Sequence, residues 1–247
     1  MISTSPGRLT SLLLDLSTRE AEVSRADDLG PRFRLVSIAG DSLKGVAWSP
    51  GDMVQVVVVG AALLGPWEVR SYTPLAFDPA TGTAEVLWYV HGGGPGSGWA
   101  ASATAGTPCR LVGPRRAVPL RTSRRPLVFF GDETSFGTAV ALRATPSGDG
   151  DVRFVFEVDS VEESRAVLAR FGLTDAALVA RDAGDSHLDE VEHEVLTAYR
   201  SAGAGVLTGK ASSIQRLYRA LRAAGARGRD ITNVPYWAPG KKGLKGH

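Results

Sequence analysis

The sequence predicts an antiparallel Greek-key β-barrel followed by a Rossmann-like α/β domain. In the first half, short strand-like runs follow one another at short intervals and are joined by turns rich in glycine and proline, which is typical of a small barrel. In the second half, apolar strand runs alternate with helix-compatible stretches, which is typical of a parallel sheet. The change occurs in an arginine- and serine-rich link near Thr122, so we expect domains at residues 1–122 and 123–247.

Alternation and β-branched runs indicate the strands of the first domain. Residues 32–38 alternate with a period close to two, and residues 53–59 form a β-branched run after the turn at 48–52. A further run, 84–90, follows a turn-rich stretch. Residues up to about Gly30 fit an edge strand or a short helix, and their pattern does not decide between the two.

The second domain shows a regular alternation of strands and helices. Apolar runs predict strands at residues 126–130, 152–158, 176–180 and 205–208. Helices are predicted between them, up to Arg143, over 160–170, and where apolar side chains recur at helical spacing. Those helical side chains are Leu188, Val191, Val195, Tyr199, Ile214, Leu217 and Leu221.

The composition excludes several classes of protein. The 247 residues are 43% hydrophobic, carry a formal net charge of +2 and include one cysteine. A nearly neutral chain gives no reason to expect nucleic-acid binding driven by bulk charge. The lone Cys109 cannot form an internal disulfide framework or hold a four-cysteine iron–sulfur cluster. No apolar stretch approaches membrane-spanning length, so we expect a cytoplasmic protein that does not insert into membranes. We also expect a monomer, although the sequence does not decide the oligomeric state.

Two stretches carry chemistry. Arg70-Ser71-Tyr72-Thr73 offers a cation, an aromatic ring and two hydroxyls within four residues, which suits a ligand that combines a phosphate with an aromatic system. Residues 91–100 place glycines, a proline and a serine directly before a helix start, where bare N–H groups can approach a pyrophosphate. Either stretch alone is more often an ordinary strand end or turn. Together they predict one molecule of FAD lying across two loops.

With these motifs the chain resembles the siderophore-interacting proteins, a family of flavin-dependent ferric-siderophore reductases related in fold to ferredoxin–NADP reductases. The resemblance runs through nearly the whole chain and rests on an ordered set of motifs. They are Trp48-Ser49-Pro50-Gly51-Asp52, Arg70 to Thr73, Gly94-Pro95-Gly96-Ser97 with Trp99-Ala100, Val112-Gly113-Pro114, Gly131-Asp132-Glu133-Thr134, and Tyr236-Trp237 with Gly240.

The resemblance implies roles for these residues. Arg70 would pair with the FAD pyrophosphate, Tyr72 would pack on the flavin or its ribityl chain, and Thr73 would hydrogen-bond the reactive edge of the ring. Thr134 would lie nearest the flavin in the second domain, and Trp237 would cover the flavin or shape the substrate mouth. Thr73, Thr134 and Trp237 are thus the expected catalytic residues. The other expected cofactor-binding residues are Ser71, His91, Gly94, Pro95, Ser97, Trp99, Ala100, Asp132, Gly209 and Lys210.

Two positions depart from the family pattern. Gly209-Lys210 stands where the family has a Gly-Glu pair at the strand-to-helix turn near the nicotinamide, so a cation replaces a carboxylate. Pro235 stands where the family favours glycine. Asp159, just past a strand, is a candidate for a ribose hydroxyl of the donor, but the choice between NADH and NADPH stays open.

Two further places in the sequence, the basic end of the chain and one helix face, contain candidate binding residues. Lys241, Lys242 and Lys245 are candidates to bind an anionic ferric siderophore, although a solvated terminus has the same composition. His187 and His193 lie among acidic residues on a predicted amphipathic helix. Their spacing does not match a His-Glu-x-x-His pair, so no metal site is expected there.

The resemblance implies an NAD(P)H-dependent flavoprotein oxidoreductase that passes electrons through FAD to Fe(III) held in a siderophore and releases Fe(II). One alternative is a flavin reductase that supplies electrons to an oxygenase or another acceptor. Another is a flavin- or siderophore-binding protein without turnover.

Overall fold

The structure contains one antiparallel and one parallel sheet, in the predicted order. The computed structural model describes residues 18–58, 68–120, 126–145 and 151–241. The antiparallel sheet followed by the α/β part confirms the predicted fold class. The boundary expected near Thr122 falls outside the described residues, as do Lys242 and Lys245.

The described residues of the first domain form seven strands, one helix and a 3₁₀ turn. The strands are β1 (Thr18–Gly30), β2 (Phe33–Ala39), β3 (Asp52–Val58), β4 (Glu68–Tyr72), β5 (Ala76–Asp78), β6 (Thr83–Tyr89) and β7 (Pro108–Arg116). Helix α1 (Pro95–Ser102) lies between β6 and β7, and a 3₁₀ turn spans Asp41–Leu43.

The antiparallel sheet curls around a core of its own. Its strand order is β4-β3-β7-β1-β2-β6-β5, so β4 and β6 are far apart in the order. Yet the ring of Tyr72 in β4 packs on Trp88 in β6 with centroids 3.7 Å apart. Val56 of β3 and Val86 of β6 lie in the same buried cluster. The sheet therefore closes on itself like a barrel, which brings β4 and α1 together.

The second domain alternates strands and helices. Its strands are β8 (Leu127–Gly131), β9 (Val152–Val158), β10 (Ala177–Ala180), β11 (Gly205–Lys210) and β12 (Ile231–Trp237). Its helices are α2 (Phe136–Ala144), α3 (Val161–Arg170), α4 (Leu188–Ala202) and α5 (Ala211–Ala223), with 3₁₀ turns at Glu133–Ser135 and Gly228–Asp230. None of the helices among the described residues is long and apolar enough to cross a membrane.

The parallel sheet has the strand order β10-β9-β8-β11-β12. The first strand, β8, lies in the middle, and the direction of winding reverses between β8 and β11. Ligands of such sheets bind outside the carboxyl ends of the strands at this switch point. Helices α2 and α3 cover one face and α4 and α5 cover the other.

The first domain packs on the face that carries α2 and α3. Phe33 at the start of β2 stacks on Phe136 at the start of α2, with centroids 5.5 Å apart and the rings nearly parallel. Leu87 and Tyr89 of β6 pack against the same apolar cluster. This contact places the end of β4 beside the carboxyl edge of the parallel sheet.

Five of the observed strands, β1, β4, β5, β7 and β12, were not predicted with ranges of their own. β1 has thirteen residues, of which only Val23 is fully buried. Its sequence therefore shows no alternation of apolar and polar residues that would predict a strand. β7 and β12 contain Pro114 and Pro235, which resemble turn signals in sequence. β12 is an edge strand, where proline is tolerated because one side of the strand needs no partner.

Candidate functional site

The expected flavin-binding residues of β4 split between two faces of the strand. Side chains alternate along a strand, and Arg70 and Tyr72 share the face that lies against α1. A Cβ placed on Gly96 in α1 would come 2.8 Å from the Tyr72 hydroxyl and 3.0 Å from Cγ of Arg70. The absence of a side chain at Gly96 therefore lets the helix backbone touch this strand. Ser71 lies on the other face and accepts a 3.4 Å hydrogen bond from Gln55.

Tyr72 belongs to a row of three aromatic rings. It packs on Trp88, and Trp88 packs on Trp99 of α1 with centroids 5.1 Å apart. Burial raises the pKa of the Tyr72 phenol, an effect that the charge of Arg70 opposes. The phenol is therefore a neutral hydrogen-bond donor at physiological pH. Part of its ring is already covered by Trp88, so only the remaining surface is available to a flavin.

The start of α1 is arranged to receive an anion. Gly94 precedes it with a φ of +88°, Pro95 occupies the first turn, and that turn contains no acidic residue. Ser97 is buried and its hydroxyl accepts a 3.3 Å hydrogen bond from the N–H of Gly92, which folds the glycine loop over the helix start. Cγ of Arg70 lies beside Gly96, and the Arg70 guanidinium donates a 3.1 Å hydrogen bond to the Val69 carbonyl. With the partial positive charge of the helix and the charge of this arginine, the place fits a pyrophosphate.

The remaining residues of this loop have different surroundings. His91 and Gly93 are exposed, and the His91 ring lies 6.3 Å from that of Tyr89. Ala100 is fully buried in the core of the first domain. Ala100 therefore contributes to the site through its backbone and its packing.

Asp132 is the centre of the second half of the site. Its carboxylate has no exposed surface and follows β8 at the switch point. One oxygen accepts hydrogen bonds from the backbone N–H of Thr134 at 2.9 Å and from the Thr134 hydroxyl. The other accepts a 2.7 Å hydrogen bond from the indole N–H of Trp237. Burial raises the pKa of Asp132, and the two donors oppose that rise.

The end of β4 meets the second domain directly. A Cβ on Gly137 in α2 would lie 2.6 Å from the carbonyl oxygen of Thr73. The Tyr236 hydroxyl hydrogen-bonds Thr138 at 2.7 Å and also the Thr73 side chain. Thr73 thus contacts the second domain at Gly137 and at the residue before Trp237. The ends of β4, β8 and β12, which carry the three residues that we expected to be catalytic, adjoin here.

An ion-pair network crosses between the two domains beside this junction. Arg32 contacts Glu163 at 3.0 Å and Asp159 at 3.2 Å, and the Tyr89 hydroxyl donates a 2.5 Å hydrogen bond to Asp159. Burial alone would raise the pKa of Asp159, but the hydrogen bond from Tyr89 and the charge of Arg181 outweigh it and hold the pKa below its usual value. Asp159, which we expected to be available to a ribose, already accepts several protein donors.

Arg181 extends this network to the first turn of the second domain. It donates to Glu133 at 2.8 Å and to Asp159. Glu133 also accepts the backbone N–H of Asp159 at 2.5 Å. Burial raises the pKa of Glu133, against the charge of Arg181. Glu133 is therefore a structural anchor in this chain, more than a helix cap.

Gly209 and Lys210 lie at the carboxyl end of β11, next to Asp132. Gly209 has a φ of +97°, and a Cβ there would lie 2.5 Å from the Asp132 carboxylate. Lys210 is largely buried, and its ammonium pairs with Asp185 at 2.8 Å. The lysine that departs from the family pattern is thus neutralised by a carboxylate of this same chain.

A buried polar cluster was missed by sequence reasoning. The carboxylate of Glu157 contacts His187 at 3.0 Å and the Ser213 hydroxyl at 3.1 Å, and all three side chains are buried. His187 therefore packs inside the domain and not on a solvated helix face, which corrects our expectation for it. No group of three or more metal-ligating side chains occurs in the described part of the chain.

The sequence held few signals for the network and this cluster. Arg181 follows directly after a predicted strand at the carboxyl edge of the sheet, and that position was the one usable hint. The partners Arg32 and Asp159 are 127 residues apart, so no local pattern joins them. Lys241 is exposed at the end of the described chain, beyond β12.

Comparisons with known proteins bear on the fold and on the cofactor. Residues 66–118 match the model of the siderophore-interacting FAD-binding domain, which confirms the resemblance and FAD as the expected cofactor. A search of curated proteins finds no match.

Several solved structures share the fold over most of their length. A siderophore utilization protein from T. fusca is 22% identical, with a TM-score of 0.71 over 92% of this chain and 95% of that one. SipS, a siderophore-interacting protein from Aeromonas hydrophila, is 17% identical, with a TM-score of 0.73 over 91% and 93%. A ferredoxin NADP⁺ reductase from Neisseria gonorrhoeae with bound FAD and NADP is 14% identical, with a TM-score of 0.67 over 89% and 98%. At these identities the likeness establishes the fold alone.

Proposed function

Because residues 66–118 match a siderophore-interacting FAD-binding domain, we propose that the protein is an NAD(P)H-dependent flavoprotein reductase that acts on ferric siderophores. The observation that carries the proposal is the meeting of Thr73, from the FAD-binding sheet, with Tyr236 and the Trp237–Asp132–Thr134 group, from the parallel sheet. A flavin placed by β4 and a nicotinamide placed by the switch point would adjoin at this junction.

The residues of the first domain bind and orient the flavin. The guanidinium of Arg70 and the start of α1 hold the pyrophosphate by charge and by backbone N–H groups. Tyr72 offers a neutral hydroxyl beside them, and Thr73 presents its hydroxyl at the edge of the site. Bound FAD supplies the redox chemistry, since it accepts two electrons from a nicotinamide and gives them up singly to a one-electron acceptor.

The residues of the second domain complete the junction. Asp132 keeps Trp237 and Thr134 in fixed positions, because it accepts a hydrogen bond from each. The Trp237 ring, half-buried, limits access of water to the space beside Thr73. In the overall reaction one NAD(P)H and two Fe(III) give NAD(P)⁺, two Fe(II) and one proton. Electrons pass to the metal one at a time, so no general acid or base is needed for that step.

The mouth of the site would receive the siderophore. Ferric siderophores are frequently anionic, and the exposed Lys241, together with Lys242 and Lys245, supplies cations after Trp237. Hard oxygen chelators bind Fe(II) far more weakly than Fe(III), so reduction releases the metal. Cytoplasmic location is part of this proposal, because the nicotinamide donor is found there.

The test begins with the visible absorption spectrum of the purified protein. Under anaerobic conditions, NADH or NADPH should bleach the flavin bands, and a ferric siderophore should restore them with two Fe(II) formed per donor. A dye or a quinone serves as a comparison acceptor. Rapid turnover with dyes and none with chelated iron would favour the oxygenase-supplying alternative. A flavin that no nicotinamide can bleach would favour a binding protein.

Variants of two arginines test whether Arg70 binds FAD. Arg70→Gln should lower the affinity for FAD by about tenfold or more, because a charge-assisted contact to phosphate is lost. Arg143→Gln is the matched control, since Arg143 pairs with Asp175 at the far end of α2. Equal FAD retention in both variants would contradict the assignment of Arg70.

A further inference from the structure

The carboxyl ends of β9 and β10 are the place for the adenosine half of the nicotinamide donor, given the function proposed above. Thr73, Thr134 and Trp237 lie together near the ends of β4, β8 and β12, where the nicotinamide has to meet the flavin. A dinucleotide that crosses the switch point from there extends to the other side of β8. The adenosine ribose then lies over the residues that follow β9 and β10.

Acidic residues dominate this place. Asp159 follows β9, and Arg181, Asp182 and Asp185 follow β10. The Asp182 carboxylate accepts several hydrogen bonds, and the one from the Ser186 hydroxyl contributes most to holding its pKa far below the usual value. The Asp182 side chain is 40% exposed. Asp182 is therefore a fixed negative charge that faces solvent.

Arg181 is the one cation that directly follows either strand, and its charge is already used. An arginine near the ribose is what accommodates the 2′-phosphate of NADPH in dinucleotide-binding sheets. In this chain one terminal nitrogen of Arg181 donates to Glu133 at 2.8 Å and the other to Asp159. Its side chain is only 16% exposed. A phosphate could gain this guanidinium only by displacing protein carboxylates.

Lys210 cannot take the place of Arg181 as a cation for the 2′-phosphate. The ammonium of Lys210 pairs with Asp185 at 2.8 Å, and the lysine side chain is 11% exposed. The hydrogen bond from Lys210 lowers the pKa of Asp185, so that this pair stays ionised and neutral overall. The nearest cation at the end of β11 is thus also compensated.

We propose that Glu133 and Asp159 neutralise Arg181 and thereby make the donor site selective for NADH. A 2′-phosphate would bring about two negative charges next to Asp159 and Asp182, and no described residue that directly follows β9, β10 or β11 offers an uncompensated cation to receive them. A ribose with a free 2′-hydroxyl adds no charge and can still donate a hydrogen bond to a carboxylate. Discrimination therefore comes from repulsion of the phosphate as much as from attraction of the hydroxyl.

The first test compares two nucleotide fragments by calorimetry. The FAD-loaded protein is titrated with 5′-AMP and with adenosine 2′,5′-bisphosphate at low and at high ionic strength. We expect the bisphosphate to bind at least about tenfold more weakly at low salt, and the difference to shrink at high salt because the repulsion is screened. Equal or tighter binding of the bisphosphate would overturn the proposal. So would a tenfold difference that does not depend on salt.

Two variants test the role of Asp159. Asp159→Asn removes one carboxylate from Arg181, and the affinity for the bisphosphate should rise by about fivefold or more. The affinity for 5′-AMP should change less, because the Asn carboxamide keeps an oxygen that can accept a hydrogen bond from the ribose hydroxyl. Arg32→Gln is the matched control, because it removes another partner of Asp159 and a contact between the domains but leaves the Arg181–Asp159 pair in place. If the ratio of the affinities for the bisphosphate and for 5′-AMP is the same in Asp159→Asn as in the native protein, the role given to this carboxylate is wrong. If that variant does not fold, the salt series on the native protein decides.

Failure of this inference and failure of the proposed function give different results. If the protein prefers the bisphosphate and NADPH bleaches the flavin, the inferred selectivity for NADH is wrong, but the proposed reductase function stands. Binding of neither fragment, with no bleaching by either donor, would remove the nicotinamide donor itself and the inference with it.

Discussion

The indole N–H of Trp237 donates a 2.7 Å hydrogen bond to Asp132, a carboxylate with no exposed surface. Trp237 ends an edge strand, and Asp132 follows the central strand of the same sheet. A buried carboxylate is costly unless donors satisfy it, so this bond fixes the last strand against the switch point. The aromatic ring is therefore held by the second domain and does not swing freely over the site.

Trp237→Phe should destabilise the protein in a pH-dependent way. Loss of a donor to a charged group costs about 1.5–3 kcal/mol. Burial already raises the pKa of Asp132, and removing the donor raises it further, so the folded state binds the proton more tightly than the unfolded state. Stability then falls as pH rises above the unfolded pKa of about 4. Urea unfolding at pH 5 and pH 8 should show the larger loss at pH 8.

Trp48→Phe is the matched control for that experiment. The indole N–H of Trp48 is buried without a hydrogen-bond partner among the described residues. The same substitution there removes packing but no bond to a titrating group, so its effect should be equal at the two pH values. A pH-independent effect of Trp237→Phe would contradict the role of the bond to Asp132.

Gly96→Ala should weaken FAD binding. The added methyl group would lie 2.8 Å from the Tyr72 hydroxyl and 3.0 Å from Cγ of Arg70, so these two side chains have to shift from their positions beside α1, or α1 has to move away from β4. We expect the dissociation constant for FAD to rise by about tenfold or more, which corresponds to about 1.4 kcal/mol. Fluorescence titration of the apoprotein with FAD gives this constant.

Gly98→Ala is the control in the same helix. A Cβ there meets no atom within 4 Å. Alanine is favoured over glycine in a helix by about 1 kcal/mol, so this variant should keep its FAD affinity and unfold at a slightly higher temperature. Equal loss of FAD in both variants would mean that helix flexibility, and not the contact with β4, governs binding.

Lys210→Glu should have its main effect on the stability of the fold, and a smaller one on the binding of the nicotinamide donor. It would put a second carboxylate beside Asp185 in a position that is 11% exposed. Because Asp185 is 47% exposed, breaking this pair should cost less than the ~3–5 kcal/mol of a fully buried pair. Thermal unfolding of Lys210→Glu, Asp185→Lys and the double exchange measures the coupling. The double variant should recover most of the loss, and additive losses would show that the pair contributes little.

Local sequence patterns predicted the strands and helices that have an apolar face of their own. β9 was placed at its observed ends, because its buried run is bounded by a charged residue and a helix cap. β1 was left undecided because it is a central strand with a single fully buried residue. β12 was missed because Pro235 resembles a turn signal, although an edge strand tolerates it.

The site was predictable only where its residues are adjacent in sequence. Arg70 to Thr73 and the glycine loop were found from their own composition. The contacts of Arg32 with Asp159 and of Trp237 with Asp132 join residues 127 and 105 positions apart. Such pairs depend on how the two sheets pack, which no local pattern contains. The ion pair of Lys210 with Asp185 was hidden for the same reason.

Thr73→Val and Thr138→Val should separate the structural role of Tyr236 from the expected role of Thr73 at the flavin. Both hydroxyls hydrogen-bond the partly buried Tyr236 phenol, so each variant should lose about 0.5–1.5 kcal/mol of unfolding free energy. Only Thr73 directly follows β4, the strand that carries the expected flavin-binding residues. Thr73→Val should therefore also shift the flavin absorption bands and the midpoint potential, while Thr138→Val leaves both unchanged. Identical spectra and potentials in the two variants would place Thr73 in the domain contact alone, and the flavin edge would then need another hydrogen-bond partner.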